Sequence, residues 1–233
     1  MSGKLYGVGL GPGDSELITL KAARIIANAK VVAYPSLMGG DSFARSIAAE
    51  HIASDAQEIS IDIPMTLKRE PAQLAYDKAA AEIADVLTSG QDVVVLCEGD
   101  PFFYGSFMYL YARLSDQFET EVVPGVTSMT ASAGALGLPL AARNEVLSVI
   151  PGPLETDLMI KQINSADSLV IMKVGRHLGR IRKVIDGLGL LDNAVYIERA
   201  TLSAERQLPL SDAPEKAPYF SMILLIKGGD PWL

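Results

Sequence analysis

An α/β fold of two domains, each built on a mainly parallel or mixed sheet, is what this sequence predicts, and three observations carry the prediction. Short runs rich in Val, Ile and Leu alternate with longer amphipathic segments, the pattern of sheets covered on both faces by helices. These runs number about ten, more than one compact sheet usually holds. No linker rich in Gly, Ser or charge interrupts the chain, so the two domains, 1–124 and 125–233, are expected to pack tightly and form a cleft. A ligand is expected in that cleft, at the carboxyl ends of strands.

The elements follow in order. KLYGVGL (4–10) reads as a strand, and Leu17, Leu20, Ile25 and Ile26 mark a helical face after it. KVVAY (30–34) is a second strand, followed by a helix near Phe43 to His51 and a third strand, EISIDI (58–63). PAQLAYDKAAAEIADVLTSG (71–90) is a helix that Gly90 ends. DVVVL (92–96) reads as a buried strand, a helix is expected from about Tyr104 to Leu114, and ETEVVPG (119–125) supplies a strand. Beyond Gly125 come a helix at 127–137, a strand EVLSVI (145–150), a helix near Leu154 to Ile163 and a strand SLVIMK (168–173). A helix RHLGRIRKVIDGL (176–188) and the strands AVYIER (194–199) and YFSMILLIKG (219–228) complete the chain.

Composition excludes several function classes. With 20 Lys and Arg against 28 Asp and Glu the net charge is −8, so neither nucleic acid nor an anionic membrane is expected as a partner, and an anionic ligand needs a local basic patch. No apolar run approaches the roughly 20 residues of a membrane span. MSGKLYGVGL enters a strand without a basic region and cleavage site, so a soluble, cytoplasmic protein is expected. The single Cys97 forms no internal disulfide, and His51 and His177 make no zinc spacing; no metal site is expected.

Three loops after strands hold the chemistry. GVGLGPGDSELITL (7–20) has glycines at 7, 9, 11 and 13, but Pro12 stands where the dinucleotide fingerprint needs glycine. Asp14 and Glu16 suit a helix start and repel a phosphate there, so the loop is either a tight capped turn or a site for an unphosphorylated ligand. In LCEGDPFFYG (96–105), Gly99 permits close backbone approach, Pro101 stops the strand, and Asp100 either faces a positively charged ligand or caps the following helix. In VVPGVTSMTASAGALGLPL (122–140), Thr127 and Ser128 offer hydroxyls at a helix entrance, as ligand contacts or as caps of a small-residue helix.

Taken in this order, GVGLGPGDSELITLKA, CEGDPFFYG and VVPGVTSMTASA, with IMKVG and ERATLSAERQ further on, resemble the tetrapyrrole (class III) methyltransferases of corrin and sirohaem synthesis over nearly the whole chain. CEGDPFFYGSFMYLYARL and the segment around MGGDSFARSIAAEHI resemble the branch that methylates carbon 20 of precorrin-2, to give precorrin-3A in cobalamin synthesis, or its counterpart acting on cobalt-factor II. The resemblance implies the tetrapyrrole methylase fold, a homodimer, and S-adenosylmethionine as co-substrate, leaving as S-adenosylhomocysteine. It assigns the substrate trough and part of the donor site to the first domain and the adenosyl part to the second. Carried over residue by residue, it puts Pro12, Glu98, Gly99, Asp100, Phe103, Thr127 and Ser128 against the methyl donor, with Met172 and Ala200 around its adenosyl part. Glu98 departs from the glycine of many relatives and adds a side chain beside the donor.

Under that resemblance Tyr104 is the candidate proton relay, against the alternative of a packed aromatic. The substrate's carboxylates need local cations, for which Lys173, Arg176, Arg113 and Arg143 are the candidates, and Asp14 is a further substrate contact. Arg180 and Lys183, at i+4 and i+7 from Arg176, read equally as a solvated helix face. Within the enzyme class the alternative is methylation of another ring position; the rival classes are a nucleotide-binding regulatory module, which the first loop opposes, and a non-catalytic tetrapyrrole carrier, which has no use for the donor loops.

Overall fold

The computed structural model describes residues 1–37, 40–64 and 69–228; of the segment MGGDSFARSIAAEHI, Met38 and Gly39 lie outside these. The chain divides into two compact units, Met1–Thr127 and Ser128–Leu233. The division falls slightly beyond the expected residue 124, because Gly125 is bound into the first unit, its N–H donating to the Asp100 carboxylate.

The first unit carries strands β1 (Leu5–Gly9), β2 (Val31–Leu37), β3 (Gln57–Ile63), β4 (Val93–Cys97) and β5 (Thr120–Val123) with helices α1 (Leu20–Ala27), α2 (Phe43–Ala48), α3 (Arg69–Thr88) and α4 (Phe107–Leu114). The sheet order is β3-β2-β4-β1-β5, parallel throughout. Alternate residues of β1, β2, β4 and β5 feed two cores, whereas the edge strand β3 buries Ile59 and Ile61 in one of them and exposes its other face. Val95 and Cys97 pack with Ile83, Leu110 and Leu114 on the α3–α4 face; Val94 and Leu96 pack with Ala22, Ile26 and Ile47 on the α1–α2 face. A strand buried on both faces has no need of alternation, hence the uniform VVVLC of β4. The order also makes β4, β1 and β5 neighbours, so the loops that leave their carboxyl ends are neighbours too.

The second unit carries α5 (Ser128–Leu136), β6 (Leu147–Pro151), α6 (Thr156–Ser165), β7 (Ser168–Met172), α7 (Leu178–Gly187), β8 (Ala194–Glu198), β9 (Arg206–Pro209) and β10 (Ser221–Ile226). Its sheet, ordered β6-β7-β10-β8-β9, is mixed: β6 and β7 are parallel, whereas β10 runs antiparallel to both β7 and β8, and β9 antiparallel to β8. A parallel neighbour needs a crossover of a dozen or more residues, and no long helix joins β8, β9 and β10. One face of this sheet packs on α6 and α7 through Met159, Ile163, Ile181 and Ile185. The other packs on α5 through Met129, Ala133 and Leu136, with Met172 and Ala200 beside them.

Two helix starts differ from expectation. Asp14 caps a single turn, Ser15–Leu17, by accepting from Glu16 N–H, after which Ile18 is extended and Thr19 caps α1. The helix expected near Tyr104 begins at Phe107, because Tyr104 takes a left-handed conformation with φ 56° that a helix does not admit. The short edge strand β9 was not expected.

Candidate functional site

Glycine backbones knit the loops after β1, β4 and β5 together. Gly11 N–H donates to Gly99 O at 3.2 Å and Gly99 N–H to Gly11 O at 2.7 Å. A Cβ on Gly9 would lie 2.6 Å from Gly125 N and 2.8 Å from Gly99 O, and one on Gly125 would overlap Gly99 O outright. Asp100 fastens the same assembly: Oδ1 accepts from Phe102 N–H (2.9 Å) and Phe103 N–H (3.1 Å), and Oδ2 accepts from Gly125 N–H (3.0 Å). The carboxylate thus closes the turn at Pro101–Phe103 and ties the second loop to the third; it caps neither α4 nor any other helix. Gly99 has φ 66°, and a Cβ there would meet nothing within 4 Å, so this left-handed bend opens onto free space. Pro12 and Phe103 are half-buried, and Thr127 and Ser128 are the last residue of the first unit and the first of α5.

Glu98 follows β4, half-buried, on the α1–α2 side. Burial raises its pKa above the ordinary glutamate value, while the N–H groups of Glu98 itself and of Ala44 in α2 pull it back. A carboxyl with a raised folded pKa is most stabilising while protonated, and that contribution is lost as pH rises through the folded pKa. Glu98→Gln, neutral at every pH, is therefore expected to melt above the parent at pH 7, with a gain that shrinks as pH falls toward 4.5; thermal unfolding of both proteins across that range is the measurement.

The basic candidates separate sharply. Arg113 bridges α3 and α4, its Nε on Asp77 (2.7 Å), one terminal nitrogen on Gln73 (2.7 Å) and the other on Tyr109 O (2.8 Å). Each of its three nitrogens is engaged within the first unit. Arg113→Ala is expected to cost about 1 kcal/mol of stability and to leave the KM for an acidic substrate unchanged, as urea unfolding and initial rates would record. Arg180, for which a solvated helix face was the equal alternative to a substrate contact, instead holds the turn after β6 through Gly152 O, Leu154 O and Thr156 Oγ1. Lys173 and Arg143 are exposed and left-handed, with φ 56° and 47°. Arg176 is exposed on a single turn, Gly175–His177, after β7.

Strain of this kind falls on few residues. Among the described residues, the non-glycine positions with positive φ are Tyr104, Arg143, Lys173, Arg199 and Thr201. Three were chosen from the sequence as site residues, and the other two flank Ala200. Such conformations cost about 1 to 3 kcal/mol each and persist where the surroundings over-determine them. Sequence reasoning missed Arg199, Thr201 and the interlocked pair Gly9 and Gly125; the GxGxG spacing of 7, 9 and 11 was the available signal, but it was tested only against a dinucleotide pattern. With Asp14 already on Glu16 N–H, the turn after the first loop presents a carboxylate where a phosphate would need bare N–H groups.

The family described as Tetrapyrrole (Corrin/Porphyrin) Methylases matches residues 4–214. Cobalamin biosynthesis protein CobIJ of Mycobacterium bovis is 42% identical over 235 residues, 97% of this chain and 46% of that protein, so the chain spans about half the length of that curated relative. Precorrin-2 C(20)-methyltransferase of Sinorhizobium sp is 38% identical over 232 residues, 96% of this chain and 95% of that enzyme. The solved uroporphyrin-III C-methyl transferase from Thermus thermophilus complexed with S-adenyl homocysteine has 29% identity and a TM-score of 0.66, covering 97% of this chain and 92% of that one. On these matches, together with the three interlocked loops, the chain belongs to the tetrapyrrole (corrin/porphyrin) methylases.

Proposed function

We propose that this protein is an S-adenosylmethionine-dependent C-methyltransferase that methylates carbon 20 of precorrin-2, yielding precorrin-3A in cobalamin synthesis. The observation that carries the reading is its similarity to a precorrin-2 C(20)-methyltransferase over nearly the full length of both chains. The residues present suit the donor: loops that disfavour phosphate, and a bend at Gly99 whose missing Cβ leaves open space for close approach. When bound, S-adenosylmethionine supplies a sulfonium methyl for in-line displacement by the electron-rich macrocycle, with loss of a proton from carbon 20.

The first unit provides the substrate trough and the donor loops; Pro12, Glu98, Gly99, Phe103, Thr127 and, at the head of the second unit, Ser128 contact the donor. Asp100, committed to three N–H groups, contributes by fixing the loops and by lending negative potential to the bend. Charge in this displacement spreads rather than builds up, so such a group anchors more than it accelerates. The rate gain comes from alignment of methyl and carbon, for which effective molarities reach about 10⁵ M. Tyr104, strained at the end of the second loop, relays the departing proton. Met172 and Ala200, gathered on the α5 face of the second unit, contact the adenosyl part, while Lys173, Arg176 and Arg143 meet the substrate's carboxylates. Arg113 and Asp14 are left out, one because its guanidinium is engaged, the other because a capping carboxylate repels an acidic substrate. The active form is a cytoplasmic homodimer; among the described residues no helix is long and apolar enough to cross a membrane.

The test is incubation with labelled donor and precorrin-2, with and without cobalt, followed by mass and positional analysis. One added methyl at carbon 20 is expected. A methyl elsewhere on the ring, or none on either substrate, refutes the assignment, and the arm that reacts faster states whether cobalt belongs in the ring.

A further inference from the structure

The end of β8 holds a buried acid that the mechanism above does not use. Glu198 is 4% exposed, on the α7 face of the sheet beside the fully buried Tyr196. Its Oε2 accepts from the Tyr196 hydroxyl at 2.5 Å, and its Oε1 lies 3.8 Å from an Arg199 nitrogen and 3.6 Å from one of Arg206, its cross-strand partner on β9. Burial first, then this bond to the carboxylate, pushes the Tyr196 hydroxyl well above the ordinary tyrosine range, so it remains a donor.

The chain turns sharply just after this acid. Arg199 (φ 51°) and Thr201 (φ 71°) are both left-handed around Ala200, and neither side chain favours that conformation without support. Three bonds supply part of it: Arg199 N–H to Phe220 O, Leu202 N–H to Arg199 O, and Thr201 N–H to the Glu205 carboxylate. None of these fixes the Arg199 guanidinium. That attachment falls to Glu198, whose own position Tyr196 fixes from within the core.

We propose that Glu198 and Tyr196 form a positioning pair that holds the strained turn at Arg199–Thr201 in the shape that receives the methyl donor, so that donor affinity depends on a carboxylate that never touches it. This rests on the assignment of Ala200 to the adenosyl part. An amide at 198 still accepts from Tyr196 but offers N–H groups to two guanidiniums, and the turn loses its charged anchor.

The experiment is calorimetric titration with S-adenosylhomocysteine of the full chain, Glu198→Gln and Arg199→Ala, together with thermal unfolding and steady-state rates. Glu198→Gln is expected to weaken binding about fivefold, as loss of long ion pairs to half-exposed guanidiniums would, and to raise the KM for S-adenosylmethionine. The KM for the tetrapyrrole and the kcat at saturating donor stay unchanged. Arg199→Ala, at an exposed position that does not threaten folding, shifts donor affinity in the same direction at an unchanged melting temperature, and decides the matter should Glu198→Gln not fold. Full donor affinity in Arg199→Ala, or a Glu198→Gln protein that loses only stability, overturns the pair's role. Failure of the unmodified protein to bind S-adenosylhomocysteine is a different result: it removes the donor site itself, and the inference with it.

Discussion

Asp100→Asn is expected to lower S-adenosylhomocysteine affinity by one to two orders of magnitude and to destabilise the fold by about 2 to 3 kcal/mol, through lost hydrogen bonds to a charged acceptor and donors left facing one another. The carboxylate accepts from Phe102, Phe103 and Gly125 N–H through two different oxygens. An amide has one oxygen to offer. Turned toward Phe102 and Phe103 it points its NH₂ at Gly125 N–H and releases the third loop; turned the other way it opens the Pro101–Phe103 turn. Either flip costs the arrangement that the donor is proposed to need. Salt separates this account from a direct contact with the sulfonium: at about 1 M ionic strength the Debye length falls to roughly 3 Å. A purely electrostatic anchor would then give parent and variant converging affinities, whereas a broken fastening keeps the gap. Affinity for S-adenosylmethionine, which unlike S-adenosylhomocysteine carries the sulfonium, and urea unfolding measured on the two proteins at low and high salt decide it; a gap that closes with salt in a variant of unaltered stability would show that Asp100 touches the cation instead.

How far the sequence could be read follows from what each feature depends on. β4 was legible because a strand buried on both faces is written as an unbroken apolar run, VVVLC. β9 was not, because an exposed edge strand reading RQLP carries neither alternation nor β-branched residues. The three loops announced themselves by Gly, Pro and Asp, but their adjacency depends on β4 entering the sheet between β2 and β1, a matter of topology that no local pattern records. Asp14 and Asp100 looked like helix caps because acids before apolar segments usually are; one caps a single turn and the other ties two loops. Arg113 shows the limit for charge: the residue type promises a cation, and only the structure shows that Asp77, Gln73 and Tyr109 already engage it. Left-handed backbone at Tyr104, Lys173, Arg199 and Thr201 was invisible, since no Gly or Asn marks it.

Gly125→Ala is expected to be more damaging than any of these, because the added methyl has nowhere to go. Its Cβ would overlap Gly99 O and come within 2.9 Å of the Gly9 backbone, and backbone yields far less readily than a side-chain tip. To make room, either Gly99 O must move, breaking its bond from Gly11 N–H, or residue 125 must move, breaking its bond to Asp100. Overpacking of about 1 to 3 kcal/mol together with about 1 to 3 kcal/mol for one buried hydrogen-bonding group left unsatisfied comes to about 2 to 6 kcal/mol, at its upper end enough to leave a domain of ordinary stability partly unfolded. Gly99→Ala makes the informative contrast. Its φ of 66° imposes a backbone penalty of about 1 to 2 kcal/mol, but its Cβ meets no protein atom within 4 Å; it projects into the space assigned to the donor. Stability should therefore fall little while S-adenosylhomocysteine affinity falls steeply. Gly134→Ala, exposed on α5 with open space around its Cβ, controls for glycine replacement as such and should gain up to about 1 kcal/mol. Urea midpoints and calorimetric affinities of the three variants then form one argument. If Gly99→Ala binds the donor as the parent does, the open bend faces solvent rather than ligand, and the site must be sought elsewhere in the fold.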